Sequence, residues 1–78
     1  MANALSVLET TEVVSKFLCE NFNYWTREGK TPQEAVELAI KDTEGIATNP
    51  FTPNGEQLNE EAARETADIW QKLMRAKF

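Results

Sequence analysis

The stretch that decides the fold is TPQE, Thr31–Glu34, because it carries three helix start signals within four residues. Thr31 is suited to accept a backbone N–H as the N-cap, and Pro32 suits the first helical position, where no donor is needed. Glu34 stands three residues after the cap, where its carboxylate can accept the N–H of Thr31 and complete a capping box. These signals predict a helix that begins at Pro32.

Apolar residues before this boundary predict a first helix over residues 11–28. Its apolar stripe has i, i+3, i+4 spacing and consists of Val14, Phe17, Leu18, Phe22 and Trp25. The start has an alternative, because Ser6 and Glu9 have capping-box spacing and compete with a start at Thr10 or Thr11. Gly29 is a plausible residue after the helix end, and the short connection predicts an antiparallel hairpin with the second helix.

Asn21 lies inside the apolar stripe of the first helix, where an unpaired amide would be costly. Two interpretations follow from its position. Either its amide caps a carbonyl of the loop at residues 46–57, which we favour, or it faces a partner protein.

The second helix is predicted over residues 32–44, ending at Gly45 with an apolar contact between Ile46 and Ile40. Its apolar residues, which include Leu38, spread over an arc of about 200° when each residue advances by 100°. A helix of this kind needs cover on two sides. The first and third helices would supply it, or one helix together with a partner protein.

A loop at residues 46–57 carries three turn signals, which are Asn49-Pro50, Thr52-Pro53 and Asn54-Gly55. Phe51 between the prolines is expected to turn inward.

A third helix over residues 59–76 starts with Asn59 as N-cap, and Leu58 is placed to pack on Ala63. Its predicted core face is Ala62, Ala63, Thr66, Ile69, Trp70, Leu73 and Met74. The expected fold is therefore all-α: a single three-helix domain over residues 1–78, built from a helical hairpin, a proline-containing loop and a C-terminal helix.

Composition limits the classes of partner. Thirteen acidic and eight basic residues give a net charge of −5, which opposes binding to nucleic-acid phosphates and anionic membranes. No apolar run reaches the ~20 residues that span a bilayer, and the first residues lack the pattern of a signal peptide. The single cysteine excludes an internal disulfide. We expect a cytoplasmic protein without direct contact to nucleic acid or membrane.

Catalytic signatures are absent from the sequence. The chain has no histidine, which removes the commonest general base and the usual metal ligand. Its three glycines form no phosphate-binding motif, and no loop has the carboxylate spacing of a calcium site. Cys19 lacks a histidine partner and is interpreted as a packing residue. We therefore expect a protein that is not an enzyme and has no catalytic residues, cofactor or metal.

Two surfaces remain as candidate sites. The first combines the aromatic end of the first helix, Phe22, Tyr24 and Trp25, with Leu38, since such rings anchor protein interfaces at small entropic cost. It predicts a non-catalytic protein-binding module, with a homodimer as one form, and the composition is typical of phage or bacterial accessory proteins. The second is an acidic surface of Glu34, Glu37 and Glu44, which predicts an inhibitor that mimics phosphates and blocks a nucleic-acid-binding protein.

Overall fold

The computed structural model describes residues 4–52 and 55–78. In this part of the chain there are three helices and no strand: α1 (Val7–Arg27), α2 (Pro32–Thr48) and α3 (Glu60–Lys77). Each helix contacts both others, so the prediction of an all-α three-helix fold is confirmed. The start of α1 lies beside the start of α3, since the Asn59 N–H donates to Thr10 Oγ1 at 2.9 Å. The two helices therefore run parallel, and α2 runs against both.

The first helix begins at Val7, so the predicted start at residue 11 is wrong. Ser6 Oγ accepts the Glu9 N–H at 3.1 Å, and the Glu9 carboxylate accepts the Ser6 N–H at 3.0 Å. These reciprocal bonds satisfy two backbone donors at the helix end. Thr10 consequently lies within the helix, where its side chain is buried.

The second helix begins at Pro32 and has both bonds of the capping box that TPQE predicts. It continues past Gly45 to Thr48, so the predicted end at residue 44 is wrong. Gly45 lacks the positive φ of a helix-terminating glycine. The added turn buries Ile46, which packs in a core cluster with Val14 instead of closing the helix against Ile40.

The loop between α2 and α3 buries Leu58 and exposes Phe51. Leu58 is 0% exposed and joins Ala63 in the core cluster, whereas Phe51 is 46% exposed, so its predicted inward position is wrong. The backbones of Phe51 and Gln57 pair in an isolated antiparallel bridge, and side chains alternate along such extended segments. Pro50 and Leu58 face inward on either side of this bridge. The predicted turns at Thr52-Pro53 and Asn54-Gly55 extend outside the described residues.

Two smaller features complete the fold. Asn21 Nδ2 donates to the Phe17 carbonyl of its own helix at 2.8 Å, so the favoured contact with a loop carbonyl is wrong. Asn59 caps α3, because its Oδ1 accepts the Ala62 N–H at 3.0 Å. Among the described residues, no helix is both long and apolar enough to cross a bilayer.

Candidate interaction surface

The side of α3 next to α1 carries two large apolar side chains that are more than half exposed. Ile69 and Leu73 are each 56% exposed, so their predicted place in the core is wrong. The reason is the position of α1. The Trp70 indole N–H donates to Ser15 Oγ at 2.7 Å, and the Thr66 hydroxyl lies 3.4 Å from that of Thr11. These contacts hold α1 against one side of α3.

A groove runs between α1 and α3 on this side of the bundle. Its α1 wall consists of Val7, Thr11 and Ser15, and its α3 wall includes Ile69, Trp70 and Leu73. Two of the α1 residues are small and polar, while these three α3 residues are large and apolar. The groove therefore has its large apolar side chains mainly on α3. We call it the α1–α3 groove.

The apolar surface continues toward the ends of both helices. Trp70 and Leu73 also border a second depression, together with Phe22 and Phe78. The rings of Phe22 and Phe78 are tilted against each other, with centroids 5.4 Å apart. The two depressions share two side chains, so the α1–α3 groove is one continuous strip that includes this aromatic pair.

Charged side chains lie at opposite ends of the strip. Glu65 lines the end near the start of α3, and Lys77 lines the end near its last turn. Between them, Lys72 on the outer side of α3 is paired with Asp68 at 3.0 Å. The groove thus has an apolar centre, one acidic end and one basic end.

The four residues predicted as a protein-binding site have different contacts within the chain. Phe22 lies in the α1–α3 groove. Tyr24 and Trp25 form an edge-to-face pair with centroids 5.0 Å apart, and the Trp25 indole N–H donates to Asp42 on α2 at 3.0 Å. Leu38 is half-buried one helical turn before Asp42. Phe22 therefore contacts the end of α3, whereas Trp25 is bonded to α2.

The acidic residues predicted as a phosphate-mimicking surface are largely engaged within the chain. Glu34 accepts the Thr31 N–H at 3.1 Å, and this hydrogen bond lowers the pKa of Glu34. Glu37 receives two bonds from the Arg75 guanidinium at 2.9 and 3.0 Å, which lower the pKa of Glu37. Glu44 is exposed and lines a shallow depression with Arg64. Basic side chains therefore accompany two of the three carboxylates.

Cys19 is exposed on α1, so its interpretation as a packing residue is wrong. Its neighbour Leu18 occupies the buried position instead, at 0% exposure. Within residues 4–52 and 55–78, no group of three or more potential metal-ligating side chains is close enough to hold an ion.

The sequence contained a signal for the exposed strip, in the width of the apolar arc of α3. Ile69 and Met74 lie about 140° apart on a helical projection, and the two neighbouring helices leave the Ile69 edge of this arc more than half exposed. Spacing alone did not indicate which edge of the arc would stay uncovered.

Comparison with known proteins gives no match. No protein-family model matches the chain, and neither a curated protein nor a solved structure matches it.

Proposed function

We propose that this chain is a non-catalytic protein-binding module and that the α1–α3 groove is its contact surface. The observation that carries the proposal is the 56% exposure of both Ile69 and Leu73 beside the half-buried Trp70. Large branched side chains grouped along a groove are typical of protein contact sites, whereas single exposed apolar residues are common on any surface.

Burial of this strip would supply the main driving force for binding. Covering a Leu or Ile side chain completely is worth roughly 1.5 to 3 kcal/mol, and about half of each side chain is still exposed here. The aromatic rings of Trp70, Phe22 and Phe78 add rigid contact area along the same strip. A partner with an apolar ridge, such as an amphipathic helix, has the shape that fits.

The proposal moves the site away from Tyr24, Trp25 and Leu38. The indole N–H of Trp25 is already bonded to Asp42, and Leu38 is half-buried. Tyr24 is 47% exposed, so this side offers a partner one exposed ring, whereas the α1–α3 groove offers Ile69 and Leu73 one helical turn apart. An accessory role in a phage or bacterium remains part of the proposal and rests on composition alone.

The alternative function, an acidic inhibitor of a nucleic-acid-binding protein, has less support. Glu34 is bonded within a helix cap and Glu37 is paired with an arginine, so both contribute less free negative charge to a partner. Salt distinguishes the two functions. Acidic mimicry weakens steeply as ionic strength rises, whereas binding through an apolar strip is comparatively insensitive to salt.

Site-specific photo-cross-linking tests the proposal. A photoreactive phenylalanine derivative replaces Leu73 in one variant and Phe51 in a matched control, since both native side chains are about half exposed. In extracts of cells that express the chain, we expect protein adducts from position 73 to form in similar yield when the extract is brought to high salt before irradiation. Adducts from position 51 alone, or none from position 73, would overturn the proposal.

A further inference from the structure

We propose that the partner bound in the α1–α3 groove is a second copy of this chain, related by a two-fold axis that sets the two α3 helices antiparallel. The inference rests on the proposed function and adds the identity of the partner. Three features of the groove support it: the placement of its apolar residues, the placement of its charges, and its size.

The exposed apolar residues of α3 are arranged symmetrically along the helix, on either side of position 71. Ile69 and Leu73 are one helical turn apart and equally exposed, and position 71 lies midway between them. A two-fold axis at this level places Ile69 against Leu73 of the second copy and Leu73 against its Ile69. An isologous interface requires this reciprocity.

The charged residues at the groove ends share the same centre. Glu65 and Lys77 are each six positions from residue 71. The axis that pairs Ile69 with Leu73 therefore also places Glu65 opposite Lys77 of the second copy, twice in each dimer. A parallel arrangement would place Glu65 against Glu65 and Lys77 against Lys77 of the second copy, so neither attractive pair would form.

Lys72 lies near the level of the proposed axis but to one side of the Ile69 and Leu73 face, so the two Lys72 side chains of the dimer lie on opposite sides of the axis. Its ammonium group is 3.0 Å from the Asp68 carboxylate in the same chain. The axis would therefore be flanked by two ion pairs rather than by two free positive charges.

One broad side of the bundle, of which the α1–α3 groove is a part, is large enough to hold a dimer contact. The Cα atoms of the bundle extend over 43 × 23 × 17 Å, so one broad side is comparable with the ~800 Å² that each partner contributes to a typical complex. A small domain with a thin core also gains from covering exposed apolar residues with a second copy.

Reversing the charges of Glu65 and Lys77, singly and together, tests the antiparallel arrangement. Sedimentation equilibrium over a concentration series measures the dimer dissociation constant of each variant. We expect Glu65→Lys or Lys77→Glu alone to weaken dimerisation about tenfold at low salt, because two attractive pairs become repulsive. The double variant, with both changes, should return close to the wild-type dissociation constant. Glu56→Lys is the matched control: it makes the same charge change outside the groove and should alter dimerisation less than threefold. Circular dichroism checks that each variant remains helical.

Disulfide trapping tests the register independently. In a Cys19→Ser background, Ile69→Cys and Leu73→Cys chains carrying different mass tags are mixed and oxidised. The antiparallel register predicts that disulfides form mainly between the two different chains. A predominance of linked identical chains would overturn the register.

The outcomes also separate this inference from the proposed function. A strict monomer at all concentrations, with photo-adducts from position 73 to a different protein, overturns the dimer and leaves the protein-binding function standing. A monomer without such adducts overturns both. Dimerisation that Glu65→Lys weakens and the double variant fails to restore overturns the antiparallel pairing.

Discussion

At the scale of single residues, buried threonines connect elements that are far apart in the sequence. Thr10 is 0% exposed, and its hydroxyl oxygen accepts the backbone N–H of Asn59, the N-cap of α3. This bond fixes the start of α3 against α1. Thr66 lies near Thr11 in the same region. A few polar contacts therefore decide how α3 is placed on α1.

Thr10→Val should reduce the free energy of unfolding by roughly 1 to 3 kcal/mol, because it leaves the Asn59 N–H without its partner in the interior. Valine keeps the shape of threonine, so packing changes little. Thr26→Val is the matched control, since the exposed Thr26 hydroxyl only donates to the Phe22 carbonyl of its own helix. Urea denaturation measures both variants. Equal effects at the two positions would contradict the role of Thr10.

At the scale of the helices, local side-chain bonds set the starts while burial decides one of the ends. The starts of α1 and α2 both have complete capping boxes. Gly29 has a φ of +91° in the hairpin connection, where glycine avoids the steric cost of a Cβ atom. Gly45, in contrast, lies within α2 in ordinary helical conformation.

Substituting the two glycines by alanine should have opposite effects. Gly45→Ala should stabilise the protein by up to about 1 kcal/mol, because alanine is the better helix former and an added Cβ meets no atom within 4 Å. Gly29→Ala should destabilise it by about 1 kcal/mol, because of the positive φ. Thermal unfolding followed by circular dichroism measures both. A destabilised Gly45→Ala variant would contradict the extended α2.

Acid should weaken the helix cap of α2 and the contact between α2 and α3. The Thr31 N–H lowers the pKa of Glu34 from its ordinary value of 4.5, and the Arg75 guanidinium lowers that of Glu37. A carboxyl with a lowered folded-state pKa contributes stability above pH 4.5, and this contribution is lost as pH falls through the lowered pKa. Stability should therefore decline in the acid range below 4.5.

Glu34→Gln and Glu37→Gln should each lose less stability than the wild type between neutral pH and about pH 3. Urea midpoints at the two pH values measure this difference. The exposed Glu12 forms no hydrogen bond or ion pair with another described residue, so Glu12→Gln serves as the control. Acid sensitivity that is unchanged in both test variants would contradict the assignment.

At the scale of the whole molecule, three helices enclose a small core and leave one broad side partly apolar. The core cluster contains Val14, Ile46, Leu58 and Ala63, so a residue of the α2–α3 loop packs among the helices. The loop therefore closes the end of the bundle where α1 and α3 begin.

Leu58→Ala should cost about 2 to 5 kcal/mol of unfolding free energy, because it leaves a cavity in the core cluster. Phe51→Ala in the same loop should cost less than about 1 kcal/mol, since nearly half of that ring is already exposed. Chemical denaturation compares them. A larger loss from Phe51→Ala would show that the inward and outward assignments of the loop are reversed.

Features that depend on neighbouring residues could be predicted from the sequence. The helix start at Pro32, the cap at Asn59 and the number of helices follow from side chains and backbone groups that lie within a few positions of each other. The start at Ser6 was recognisable as an alternative for the same reason. The predicted end of α2 at residue 44 is wrong, because burial of Ile46 outweighs the cost of a glycine inside a helix.

The amino-acid sequence by itself determined that three amphipathic helices form and where most of them begin, since these are short-range matters of capping and periodicity. Tertiary structure alone decided which apolar side chains stay in contact with water. Ile69 at one edge of the apolar arc of α3 and Met74 at the other are both apolar, so residue type does not indicate which edge is buried. The contacts from Ser15 to Trp70 and from Thr11 to Thr66 fix the position of α1, and so leave Ile69 and Leu73 uncovered.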